Sequence, residues 1–412
     1  MSPLPDVDEA RRRYVTVCVL FWLPLGLTIA PLVLLLTERG MTLVAVAGLV
    51  AAHSLTAAAL ELPTGGLSDV FGRRVVLAAA GVLNLVAFTL LGLGTAPWTL
   101  ALGMILMGAG RALSSGPAEA WYVDTVHVRS GPDAELRTGL ARGSSATSVA
   151  LAVGTLVGGG IPWLLGADLG GVVLPLSIPL LLGAVIEIAF VGYVLTALRE
   201  LPRPAATLRG ALRDIPATVA SGLRLGARDA MVRRILLSAA AVGGALAAIE
   251  LLTPGRAATL TGASETGAVL YATLACVGFL CSGLGSALAP RVARLAGGGE
   301  RAVLVSLASG ALGLLLLGAT ATTTGVLAGA LAATGYGLVY LGFGAAGPNE
   351  NDLLHRRVTS AGRATALSVQ SLALQLVGAL IGLLVGILPP GPVPWLLGGG
   401  VLLAGALLWI RR

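Results

Sequence analysis

Apolar positions along this chain do not alternate with polar ones. They gather into long unbroken runs of about 20 residues, each closed by a short polar stretch, which is the length of helix that crosses a bilayer core of roughly 30 Å. Twelve such runs occur, near residues 14–36, 43–63, 75–94, 98–120, 143–165, 171–195, 235–253, 267–288, 302–319, 324–346, 364–387 and 393–410. A membrane barrel would show alternating stretches of about ten residues instead. The pattern predicts an all-α membrane protein with twelve transmembrane helices. Six runs precede residue 198 and six follow residue 235. The expected plan is an N-terminal six-helix bundle over 1–198, a cytoplasmic linker over 199–234 and a C-terminal six-helix bundle over 235–412. The linker carries eight arginines, from Arg199 to Arg234, and an amphipathic stretch from Leu208 to Leu225 that suits the inner leaflet. Two such bundles can rock about a site between them.

Composition sharpens this picture. Only 11% of the 412 residues are charged and 56% are hydrophobic, against roughly 25% charged in an ordinary soluble domain, so a soluble fold and intrinsic disorder are both excluded. All 27 basic residues are arginine. With the N-terminus in the cytoplasm, 24 of them fall at cytoplasmic loops or ends, Arg39 and Arg256 fall outside, and Arg111 falls within a span. That separation follows the positive-inside rule and supports both the span count and cytoplasmic N- and C-termini. The net charge of +7 is then the skirt of a membrane protein and implies no nucleic-acid partner. Cys18, Cys276 and Cys281 lie inside spans without CxxC spacing, so they read as core residues rather than a disulfide or a zinc site. The polar start, Met1 to Arg13, predicts no cleavable leader. Absent lysine with abundant alanine and glycine suggests a GC-rich bacterial genome, hence a bacterial inner membrane.

Between the second and third runs, Gly65, Leu67, Asp69, Gly72, Arg73 and Arg74 stand in the spacing GxLxDxxGRR. This resembles the signature of the major facilitator superfamily, in the loop where that family carries it, and the resemblance extends over the whole chain as a six-plus-six plan. Glu61 to Gly65 and Ser115 to Asp124 are similar to a bacterial branch of drug-efflux and uncharacterised permeases. Val70 departs from the pattern, and the second-half counterpart ending at Arg291 is degenerate. Asp69 is placed to face the positive N-terminal end of span eleven near Ser360 to Arg363, and Arg73 to pair with Asp124 at the end of span four. These contacts would form when the two halves close on the inside. The plain alternative is that Arg73 and Arg74 only fix topology beside a turn.

Charges at membrane depth are costly and mark pathways or pairs. Arg111 lies about 20 Å along span four by helical rise. Ser115 and Glu119 follow at i+4 and i+8, hence on the same face. The resemblance puts this helix beside the transport cavity, with an arginine similar to that of the family's drug–proton antiporters, although the glycine expected next to it is displaced to Gly116. The structural alternative is a buried pair of Arg111 with Glu187 of span six. Glu250 of span seven reads as a substrate or proton group, or else as an acid paired with Arg256. Asn84, Gln370 and Gln375 read as interhelical contacts, and Asn349 to Asp352 as a cytoplasmic capping loop. The glycine run Gly154 to Gly160 resembles the family's antiporter motif but has Thr155 in place of proline, so a small-residue packing seam explains it equally.

These readings imply a secondary transporter with no covalent chemistry, no cofactor and no metal. The expected function is proton-coupled efflux of an amphipathic, drug-like compound by alternating access, with Glu250, Glu119, Arg111 and Glu187 as candidate proton or substrate groups. The expected partners are a small-molecule substrate, protons and the lipid bilayer, around a monomer. Alternatives are an uptake or facilitated-diffusion permease for a metabolite or lipid, or a non-transporting membrane scaffold. No lysine is present, so no GxxxxGK[ST] nucleotide loop exists for an ATP-driven pump.

Overall fold

The computed structural model describes residues 5–131, 134–166, 171–200, 224, 226–357 and 360–410, without the side chains of 62–66, 69, 355 and 360–365. No strand occurs among the described residues. The first half contains α1 (Val7–Ile29), α2 (Leu32–Glu38), α3 (Leu43–Phe71), α4 (Arg73–Leu93), α5 (Pro97–Ser114), α6 (Pro117–Ser130), α7 (Arg137–Leu165) and α8 (Ile178–Ala197). The second contains α9 (Ala230–Thr261), α10 (Ser264–Ala296), α11 (Gly299–Ala319), α12 (Val326–His355), α13 (Ser360–Ile387) and α14 (Pro392–Leu407). Ten of the described helical segments are long and apolar enough to span a bilayer alone, and Pro392–Leu407 is a shorter apolar helix. The fourth apolar run is covered by α5 and α6 in series, and α2 follows α1 after Ala30 and Pro31.

Local chemistry explains where the helices depart from the hydrophobic runs. α1 begins at Val7, well before the expected residue 14, because Asp6 caps it by accepting from Glu9 N at 2.7 Å. Its polar first turns are then tied by an Arg11–Asp8 ion pair at 2.5 Å and an Arg13–Glu9 pair. Span four, expected as one helix over 98–120, is broken. Ser115 leaves the helical region, Gly116 takes φ +96°, which a side chain would resist, and Pro117 starts the next helix. Glu119 therefore does not share the face of Arg111 by simple periodicity. Asn349 to Asp352, expected as a loop, lies inside α12, which continues past Pro348 to His355. α9 starts earlier than expected, at Ala230, because Asp229 accepts from Met231 N (2.7 Å) and Val232 N (3.1 Å). Apart from Arg224, the amphipathic stretch Leu208 to Leu225 lies almost wholly outside the described residues.

Contacts divide the chain into two units, 1–35 with 56–215 and 36–55 with 216–412. In the first, α1 packs against α6, α7 and α8, while α4 packs against α5 and α8. Its core stacks Tyr14 on Tyr122 at 5.1 Å and sets Phe21 against Phe190 at 5.4 Å. Where α1 crosses α7, backbone meets backbone. A Cβ at Gly154 would come within 2.6 Å of Leu23 O and 2.9 Å of Gly26 Cα, the close small-residue approach that membrane helices use in place of hydrophobic driving force. In the second unit α12 lies against α10 and α11, and α9 packs on α10, α13 and α14. The start of α3 belongs here, with Leu43, Val44 and Ala47 against Gly386 of α13.

The α1–α7 crossing gives a direct test. Gly154→Ala is expected to destabilise the purified protein by about 1–3 kcal/mol, the usual cost of overpacking, read as a lowered unfolding temperature in detergent. Gly160→Ala, on the same helix with nothing within 4 Å of its Cβ position, is expected to leave that temperature unchanged or slightly raised.

Candidate functional site

At the arginine-rich end of the first unit, Gly72 sits between α3 and α4 with φ +102°, so the chain reverses within a single residue. The turn delivers Arg73 to α6, where Nη1 lies 2.5 Å from Asp124 Oδ2 and also donates to the Ala120 carbonyl. Arg74 N donates to Glu200 Oε1 at 2.5 Å, and Trp121 Nε1 donates to Arg199 O at 2.8 Å. The Asp124 side chain is half exposed, so the ion pair alone is worth about 0–1 kcal/mol; its carbonyl contact and the neighbouring bonds make it part of a network. The side chain of Asp69, the surroundings of Gly65 and the side chains at Ser360 to Arg363 lie outside the described residues.

Deeper in the same unit, Arg111 stacks its guanidinium over the Trp22 ring, 4.9 Å from the centroid, a cation–π contact between α5 and α1. Glu61 is within its electrostatic reach. The anticipated pair with Glu187 is absent among the described residues. Glu187 of α8 is instead wholly buried and accepts from Asn84 Nδ2 of α4 at 3.1 Å, as the interhelical reading of Asn84 implied. Asn84 Oδ1 and Glu187 Oε2 are both left without a hydrogen-bond partner among the described residues. Glu119, exposed at the start of α6, lies within electrostatic reach of Tyr14 and Cys18 of α1. The break at Gly116 thus turns it towards a different set of neighbours from those of Arg111.

In the second unit Glu250 is exposed near the middle of α9 and interacts with Tyr271 of α10 and with Tyr336 and Tyr340 of α12. Those last two rings lie 4.9 Å apart. Arg256 is not its partner: Arg256 Nη2 donates to the carbonyls of Thr320, at 2.6 Å, and Thr323, closing the end of α11. The residue that sequence reasoning passed over is Glu350, buried at 4% exposure. Its signal was present, since Tyr336, Tyr340, Phe343, Gly347 and Glu350 fall at i, i+4, i+7, i+11 and i+14, one helix face, but only once the helix is carried past residue 346. Among the described residues no three His, Cys, Asp or Glu side chains come together as a metal site would need.

A family model described as Major Facilitator Superfamily matches residues 16–383. Among solved structures the chain is similar to the nucleoside transporter NupG, at 12% identity over 97% of this chain and 98% of that one, with a TM-score of 0.77. It is also similar to a D-xylose-proton symporter, at 16% identity over 99% and 98%, TM-score 0.74. A third likeness is to a bacterial homolog of the human lysosomal transporter Spinster, at 15% identity over 99% and 95%, TM-score 0.71. At such identities the likeness is one of fold. No curated protein sequence matches the chain.

The two orphaned oxygens at Asn84 and Glu187 yield an expectation. Glutamine at 187 supplies an N–H for Asn84 Oδ1 while its own oxygen keeps the Asn84 donor, so one buried amide pair becomes reciprocal. Glu187→Gln is expected to raise the unfolding temperature, by the worth of one net hydrogen bond of about 1 kcal/mol. Glu187→Ala, which leaves a cavity and orphans the Asn84 amide, is expected to lower it by about 2–4 kcal/mol. Thermal unfolding followed by tryptophan fluorescence checks both.

Proposed function

From the premise that this chain belongs to the major facilitator superfamily, and is therefore a multi-pass membrane transporter rather than an enzyme, we propose that it is a secondary transporter working by alternating access. In this reading it exports an amphipathic organic compound in exchange for protons. One observation carries the proposal: ionisable side chains stand on apolar helices against aromatic rings, with no close ion pair among the described residues. Arg111 rests on an indole, and Glu250 sits beside three tyrosines. Charges so placed cost about 2.5–3.5 kcal/mol each at a helix centre on insertion scales. A fixed scaffold has no use for them, whereas a carrier that alternately loads and releases a proton does. Glu250 and Glu119 are the proton carriers in this reading, with Arg111 and Glu187 as further candidate groups.

Gly65, Asp69, Gly72, Arg73, Arg74 and Asp124 form the gate of the inner side. The Arg73–Asp124 pair supports this reading, because it makes the α3–α4 turn and α6 move together. Both termini lie in the cytoplasm of a bacterial cell, and the monomer is the working unit. A metabolite permease is the second reading, favoured by the nucleoside and D-xylose transport named for two structures of this fold.

Transport in inverted vesicles decides between them. With ethidium as the amphipathic probe, pH-gradient-driven uptake is expected to fall at least about tenfold in Glu250→Gln or Glu119→Gln while gradient-free exchange is preserved. Flux indifferent to both pH and membrane potential would make the protein a facilitator. For the gate, Asp69→Asn is expected to broaden the distance distribution between spin labels at the arginine-rich ends of α3 and α13 and to reduce transport, with expression intact. An unchanged distribution alongside full transport contradicts the gate.

A further inference from the structure

The aromatic face of α12 ends at a cavity of about 350 Å³ that lies wholly within the second unit. Phe343, Glu350 and Asn351 line it from α12, Gln370 and Ser371 from α13, and Val242 from α9. Its charged group is unusually placed. Glu350 is only 4% exposed, and its Oε1 has no hydrogen-bond partner among the described residues. Its carboxylate meets the Ser238 hydroxyl, but that hydroxyl also accepts from Trp409 Nε1 at 2.7 Å and lies 2.9 Å from the Arg234 carbonyl. A hydroxyl has one proton, so it cannot serve the carbonyl and the carboxylate together. Glu350 is under-satisfied even on its better side.

Nor does a described arginine neutralise it. Arg234 reaches Glu300 at 3.5 Å, Arg356 reaches Asp352 at 2.8 Å and Arg357 reaches Asp229 at 4.0 Å. A buried carboxylate in this state takes up a proton or draws positive charge and donors from elsewhere. The other lining groups narrow what can bring them. Ser371, Gln370 and Asn351 offer acceptor oxygens, and Phe343 offers a π-face. The cavity has the size of a small-molecule pocket, far larger than an inorganic ion, and a lone carboxylate is too little anionic ligation for a divalent cation. We propose that this cavity binds a small organic cation, with its ammonium group held by Glu350 and its apolar body along Phe343. The inference names a substrate class for the transporter reading given above.

The test is binding to the full-length protein in detergent, with benzylammonium as the probe and benzyl alcohol as its neutral counterpart. Saturable benzylammonium binding by calorimetry is expected, weakened about tenfold or more in Glu350→Gln, with benzyl alcohol binding no better to the native protein than to the variant. Equal affinity in the native protein and Glu350→Gln, or no saturable binding to the native protein, overturns the proposal. Should Glu350→Gln not fold, the native protein alone suffices. A hydrophobic carbodiimide is expected to modify Glu350, mapped by peptide mass spectrometry, and benzylammonium to slow that modification about tenfold while leaving Glu250 unprotected. Modification of Glu350 at the same rate with and without benzylammonium, or protection of Glu250 instead, overturns it too; the former would mean the carboxylate takes up protons only. None of these readouts depends on transport, so a failure of proton coupling would leave this site standing, and the converse holds.

Discussion

A charge inside a bilayer must be paired, hydrated or handed to a ligand, and the arrangement of this chain follows from that constraint. Of 27 arginines, one sits at depth within a span, and it is spread over an indole ring. Several of the described others act as tethers: Arg73 to Asp124, Arg13 to the Ala197 carbonyl, Arg256 to the carbonyls after α11. An ion pair with a partner as exposed as Asp124 is individually weak. Glu187 and Glu350 are the opposite case: both are buried, and neither they nor Glu250 have a described arginine against them.

With no hydrophobic force to drive helices together inside lipid, close packing has to do that work. The α1–α7 crossing shows how: Gly26 and Gly154 remove every side-chain atom between two backbones. The glycine run that resembles an antiporter motif is therefore used, at Gly154 and Gly158, as a packing seam. The same economy appears in the second unit, where Gly386 lets α13 touch the start of α3. Close contacts of this sort hold neighbouring helices together within each unit.

Much of this was legible in the sequence, for physical reasons. Lipid demands uninterrupted apolar helices, so hydropathy alone reveals the spans; the arginine distribution and the Gly65 to Arg74 pattern then indicate the family. The turn at Gly72 and the nearness of Arg73 to Asp124 follow from the charge and glycine pattern of that loop. Helix ends were less legible, since the polar first turns of α1 are stabilised by the Asp6 cap and local ion pairs rather than by lipid. The break at Gly116 was hidden because serine, glycine and proline barely lower the mean hydropathy of a run, yet Gly116 decides which neighbours Glu119 meets. Glu350 was hidden by its polar setting, Asn349 to Asp352, which reads as a loop but continues α12. That Arg111 would choose Trp22 over Glu187 depends on which faces of two distant helices meet, and no single-chain pattern carries that.

In the proposed cycle, acids of this chain exchange protons for a cationic cargo. Proton release on binding tests this most directly: the purified protein in weakly buffered detergent near neutral pH, a pH-indicating dye, and titration with benzylammonium. About one proton released for each cation bound is expected, with the release abolished when all three of Glu250, Glu119 and Glu350 are glutamine. Saturable cation binding with no proton released at any pH between 5 and 8 would contradict it.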